Sequence, residues 1–119
     1  MYKRQVADWV VDDQPVEIRT TAGSLISVPY TVEVNDIPIM ALQQHESEVF
    51  LRRGIDHFDR LYEEGAEHTR IMAISVHPFL TGAPHRIKYL AELYDHILTK
   101  PGVCMMTGEQ ILDWYKTVR

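Results

Sequence analysis

Residues 72–90, MAISVHPFLTGAPHRIKYL, hold the pattern on which the reading of the whole chain turns. They continue an apolar run, RIMAISV at 70–76, that has strand length and turn signals at both ends. That is the pattern of a strand buried on both faces, as in a parallel sheet. His77 stands at the C-terminal end of this strand, and Gly82 and Pro84 mark a loop. Apolar residues then return at Ile87, Leu90, Ala91, Tyr94, Ile97 and Leu98, the spacing of one helix face. Pro84 suits the first turn of that helix, and Pro101-Gly102 ends it. Strand, loop and helix in succession make one unit of an α/β fold.

On the N-terminal side of this unit, Val49, Phe50, Ile55, Phe58, Leu61 and Tyr62 predict a helix over 46–64 with a stop at Gly65, weakened slightly by Gly54. Further upstream, DDQP at 12–15 marks a turn, VEIRTT at 16–21 reads as a strand, and Ala22-Gly23 turns the chain into SLISVPY at 24–30. Downstream, VCMM at 103–106 predicts a short buried strand. Thr107 and Gln110 then form a capping box for a last helix with Ile111, Leu112, Trp114, Tyr115 and Val118 inward. The expected order is strand, helix, strand, helix, strand, helix, hence an α/β fold with a mainly parallel sheet and right-handed crossovers. Three units do not close a barrel. Such a piece is a small layered domain, a homo-oligomer, or part of a larger barrel.

At 119 residues, 45% hydrophobic and 24% charged, the chain suits one globular domain rather than a disordered segment. Twelve Lys and Arg against seventeen Asp and Glu give a net charge of −5 with no basic stripe, which argues against nucleic acid as a partner. The longest apolar runs fall far short of a membrane span, and no secretory signal opens the chain. Cys104 is the single cysteine, so no internal disulfide framework exists and a reducing, cytoplasmic compartment is the simpler expectation. Residues 1–5, MYKRQ, fit poorly with the residues after them and read as a non-native scar. On that reading the domain is residues 6–119 and the chain is expected to be the C-terminal part of something longer.

In α/β sheets and barrels reactive groups gather at the C-terminal strand ends, where loops vary on a rigid scaffold. His77 has that position, and imidazole is the side chain that gives and takes protons near neutrality. Position alone leaves it equally a hydrogen-bonding group at a strand end. Tyr30 ends the other strand, and Asn35-Asp36 follow before Pro38, so a phenol, an amide and a carboxylate are available to orient a polar substrate. Asn-Asp is also an ordinary turn pair. Asp12-Asp13 is a third candidate, for a cation or a shared proton, with a plain turn as its alternative. His45, His57, His68, His85 and His96 show no metal-ligand spacing, and no phosphate loop, GxGxxG or GxSxG occurs. Cys104 reads as a core thiol.

Taken in order, DDQPV, LISVPYTVEVNDIPIM, FDRLYEEG and ISVHPFLTGAPHRIKYLAELYDHI resemble the C-terminal half of the polysaccharide deacetylase, or NodB-homology, family. The Val-Pro-Tyr…Asn-Asp and His-Pro…Gly-x-Pro-x-Arg elements look most like its branch of allantoinase-type amidohydrolases and peptidoglycan deacetylase-like proteins. The resemblance implies half of a distorted (β/α)7 TIM-like barrel, and a hydrolase of amide-type C–N bonds other than peptide bonds. It implies an N-acetylated glycan or an amide or ureide as the substrate. By the same resemblance His77 is the general acid on the departing nitrogen or steadies the intermediate, and Tyr30, Asn35 and Asp36 belong to the substrate pocket, with the Tyr30 and Asp36 motif also placed to orient that histidine. Gly82, Pro84 and Arg86 shape the loop. A divalent cation such as zinc would take its ligands from an Asp pair and an HxxxH motif that precede the matched region. Neither motif is in this sequence, so the chain alone is expected to be inactive. The alternative from another class is a non-catalytic α/β binding or assembly module that retains half of the scaffold.

Overall fold

A computed structural model of the chain describes residues 5–7 and 9–118. Two strands, β2 (Val16–Thr20) and β3 (Gly23–Ser27), form an antiparallel hairpin whose register runs from Val16 opposite Ser27 to Thr20 opposite Gly23. The two-residue turn is secured by the Thr20 hydroxyl, which donates to the Gly23 carbonyl at 2.6 Å. Gly23 has φ +120°, a conformation that side chains with a Cβ rarely adopt, which explains a glycine at this corner. A short strand β1 (Gln5–Val6) lies parallel to β3, so the sheet order is β1-β3-β2. Gln5, the last residue of the expected scar, is therefore within the sheet, and residues 1–4 lie outside the described residues.

Three helices complete the chain: α1 (Ser47–Glu64), α2 (Ile87–Leu98) and α3 (Gly108–Val118). In α1 the buried positions include Phe50, Gly54, Phe58 and Leu61, spaced by three and four. On α2 they are Leu93 and Ile97, with Leu90 and Tyr94 half-buried beside them. The two stripes meet with Val34 and Ile39 to form the core. Gly54, which weakens the helix expectation, lets the helices approach: a Cβ there would lie 2.6 Å from Leu93 Cδ2. Phe58 stacks on Tyr62, and the His96 ring meets it edge-on. The Tyr62 hydroxyl donates to the Pro101 carbonyl at 3.0 Å, tying the end of α1 to the turn beyond α2. The Thr107–Gln110 capping box is present in both directions, with Thr107 N to Gln110 Oε1 at 2.7 Å and Gln110 N to Thr107 Oγ1 at 3.3 Å. No helix among the described residues is long and apolar enough to cross a membrane.

Several expectations are corrected. The sheet is small and mixed rather than mainly parallel, and strands and helices do not alternate. RIMAISV is extended and mostly half-buried, but it is no strand: it bridges a neighbour only at Asn35–Ser75. The reason is local, because the facing segment turns at residues 32–34 and becomes a short π-helix, Ile37–Leu42, leaving one residue to pair. The sequence pattern there predicts a loop instead. VCMM forms no strand either, and Cys104, Met105 and Met106 are exposed, so the thiol is not in the core. Pro84 lies in the turn before α2 rather than in its first turn, and Ile87 and Leu98 face solvent while Leu93 centres the buried stripe.

Candidate active site

The Asn35–Ser75 bridge builds the site. The Asp36 amide donates to the Ser75 carbonyl at 3.1 Å and the Ser75 amide to the Val34 carbonyl at 3.0 Å, which brings Asp36 alongside His77. One carboxylate oxygen, Oδ2, accepts from the His77 amide at 2.7 Å and from the Thr81 hydroxyl at 2.6 Å. The other, Oδ1, lies 2.7 Å from His77 Nδ1. Asp36 is 0% exposed. Burial alone pushes its carboxyl up, but the bonds from the Thr81 hydroxyl and from the ring and amide of His77 outweigh it. The net effect holds the group below the usual carboxylate range. An ionised carboxylate only accepts, so Nδ1 carries a proton and Nε2 is the nitrogen left for exchange with a ligand. Among the described residues Nε2 has no hydrogen-bond partner, and the His77 side chain is 35% exposed.

The loop after His77 is a closed turn. The His77 carbonyl accepts from the Leu80 amide at 2.9 Å and the Thr81 amide at 3.0 Å, which returns Thr81 to the carboxylate that His77 already holds. A Cβ on Gly82 would run into the carbonyl oxygen of Pro78, so this turn closes only on glycine. Phe79 projects outward, 74% exposed, with its ring 5.7 Å from that of His77.

Tyr30 and Asn35 complete the surroundings. Asn35 Nδ2 donates to the Tyr30 hydroxyl and to the Thr31 carbonyl, each at 3.5 Å, while its Oδ1 accepts from the Ile37 amide at 3.1 Å. The Tyr30 hydroxyl sits 3.2 Å from Ser75 Oγ, two residues before His77. All four site residues expected from the sequence thus gather around residues 75–77. Asp12-Asp13 does not join them: the Asp12 carboxylate accepts from the Asp13 amide at 2.7 Å, the local bond of a turn. Ser75 and Thr81 were missed. Their signal was spacing, since Ser75 shares the side of His77 in an extended segment and Thr81 stands four residues past it in a turn bounded by Pro78 and Gly82. Among the described residues no group of three or more His, Cys, Asp or Glu could hold a metal ion, so the residues present do not fit a metal centre.

Comparison with known proteins bears on this geometry. No family model matches the chain. A Schizosaccharomyces pombe protein provisionally named a polysaccharide deacetylase is 44% identical over 87% of this chain and 33% of its own length. The crystal structure of a protein of Pseudomonas aeruginosa PAO1, provisionally a polysaccharide deacetylase, superposes with a TM-score of 0.83 at 29% identity, over 92% of this chain and 38% of that one. That of Puue allantoinase gives 0.85 at 28% identity, over 93% and 38%. The chain therefore spans between a third and two fifths of the length of these three proteins. Within that span the chain is similar in sequence to a protein provisionally named a polysaccharide deacetylase, and in structure to part of a polysaccharide deacetylase and part of an allantoinase.

Proposed function

We propose that this chain forms part of a hydrolase of amide-type C–N bonds and supplies the group that protonates the leaving nitrogen. The observation that carries the proposal is the buried Asp36 carboxylate on His77 Nδ1, with Nε2 uncommitted. Collapse of a tetrahedral intermediate breaks the C–N bond and sends its electron pair to nitrogen, which must take a proton to leave as an amine. In this reading His77 Nε2 gives that proton, and the ionised Asp36 stabilises the charged ring beforehand and fixes its orientation. Asp36 offers no surface to a substrate, so its part is positioning. The Tyr30 hydroxyl, held by Asn35 and Ser75, lies at the rim and orients the substrate.

The scaffold proposed is the second half of a distorted (β/α)7 barrel within a longer chain, its domain beginning at residue 6. The substrate is an N-acetylated glycan or a linear or cyclic ureide. A divalent cation such as zinc would take its ligands outside this chain, and no step here runs through it. A lone cysteine suits a reducing cytoplasm. The test is His77→Ala in the whole protein, assayed on an N-acetylated glycan and on a ureide. A fall on the order of 10²-fold or more in rate is expected for a lost general acid. An unchanged rate would leave the chain as a non-catalytic module.

A further inference from the structure

Asp36 receives three hydrogen bonds, but two of them come from His77 itself. The amide belongs to the main chain and holds Oδ2 to the backbone, while the ring nitrogen on Oδ1 turns with its side chain. The third comes from Thr81, which is 2% exposed. We propose that Thr81 is a positioning residue whose hydroxyl pins Oδ2 of Asp36 and so keeps Oδ1 seated on the His77 ring; its catalytic meaning rests on the reading of His77 as proton donor. The Thr81 amide also bonds the His77 carbonyl at 3.0 Å. A closed circuit results: the His77 amide and the Thr81 hydroxyl both donate to Asp36, and the Thr81 amide donates back to the His77 carbonyl. At 2.6 Å the hydroxyl bond has the shortness expected of an O–H donor on a charged acceptor. Water does not replace it at a buried site, so a missing hydroxyl leaves the anion short of a donor and readier to take a proton. The titratable group facing Asp36 among the described residues is His77.

The experiment follows the Asp36 carboxyl carbon by NMR through an acid titration of the 119-residue chain, with Asp36→Asn to assign the resonance. Thr81→Val is expected to raise the midpoint by roughly one to two pH units, the worth of one hydrogen bond to a charged group. Thr81→Ser, which restores the hydroxyl, should return it. A Thr81→Val midpoint equal to that of the parent overturns the proposal. Should Thr81→Val unfold, the parent decides: the Thr81 hydroxyl proton is expected as a slowly exchanging resonance that vanishes as Asp36 protonates, and its absence at neutral pH overturns the assignment. In the whole protein, Thr81→Val should lower kcat about tenfold with KM unchanged, as for an interaction needed only in the reacting state. A shifted Asp36 midpoint beside an unchanged rate in His77→Ala upholds the positioning role and discards the hydrolase reading alone.

Discussion

Among the described residues, two histidine–aspartate contacts have the same length, 2.7 Å. His77 meets Asp36 across the extended segment, and His96 of α2 meets Asp59 of α1. Distance does not separate them; surroundings do. The Asp36 side chain is 0% exposed and holds three donors, whereas that of Asp59 is 49% exposed and open to water. Water competes for the second pair and screens it, while in the first every donor was placed by the fold. Equal geometry thus gives a clasp between helices in one case and a fixed, charged partner for the His77 ring in the other.

Stability separates the two most sharply. Asp36→Ala would leave the His77 amide and the buried Thr81 hydroxyl without an acceptor, and should cost about 3 kcal/mol in urea unfolding. Asp59→Ala should cost less than about 1 kcal/mol by the same measurement. Equal losses would break the comparison. Acid supplies the next test. Because the folded carboxyl of Asp36 titrates below its unfolded value, its contribution is fully present above about pH 4 and is lost as pH falls toward the folded value. Unfolding midpoints taken from pH 6 to pH 2 should therefore drop steeply in the parent and less steeply in Asp36→Asn. The smallest effect is that of salt. The His96–Asp59 contribution, measured as the parent minus Asp59→Asn, should shrink by 1 M salt, where the screening length is about 3 Å, while the Asp36 contribution holds.

What the sequence made legible was what neighbours along the chain decide. The α1 stripe from Phe50 to Leu61, the turn after Thr20 and the Thr107–Gln110 box each depend on residues within a few positions, and each is present. Burial and pairing depend on what faces a segment. RIMAISV and VCMM look alike in composition, yet the first finds a single bridge and the second, after Val103, finds solvent. The π-helix escaped because Asn35-Asp36-Ile37-Pro38 has the composition of a turn, and only the Asn35 bond to the Ile37 amide shows how the chain is launched into it. At the site, His77 and Asp36 were named from their places at a strand end and in a loop and given roles by resemblance, and the bond between them spans 41 positions that no periodicity connects. Thr81 carried only its spacing from His77 in the Pro78–Gly82 turn, which gains meaning once the carboxylate is in place.

Gly82 carries a consequence of a genetic kind. Every codon change that replaces this glycine adds a Cβ, and that atom would strike the Pro78 carbonyl oxygen. No gentler exchange exists, as Leu for Met would be in a core. The position is exposed, where tolerance of substitution is the ordinary rule. Drift at this exposed surface is therefore arrested at Gly82, where the main chain folds back on itself.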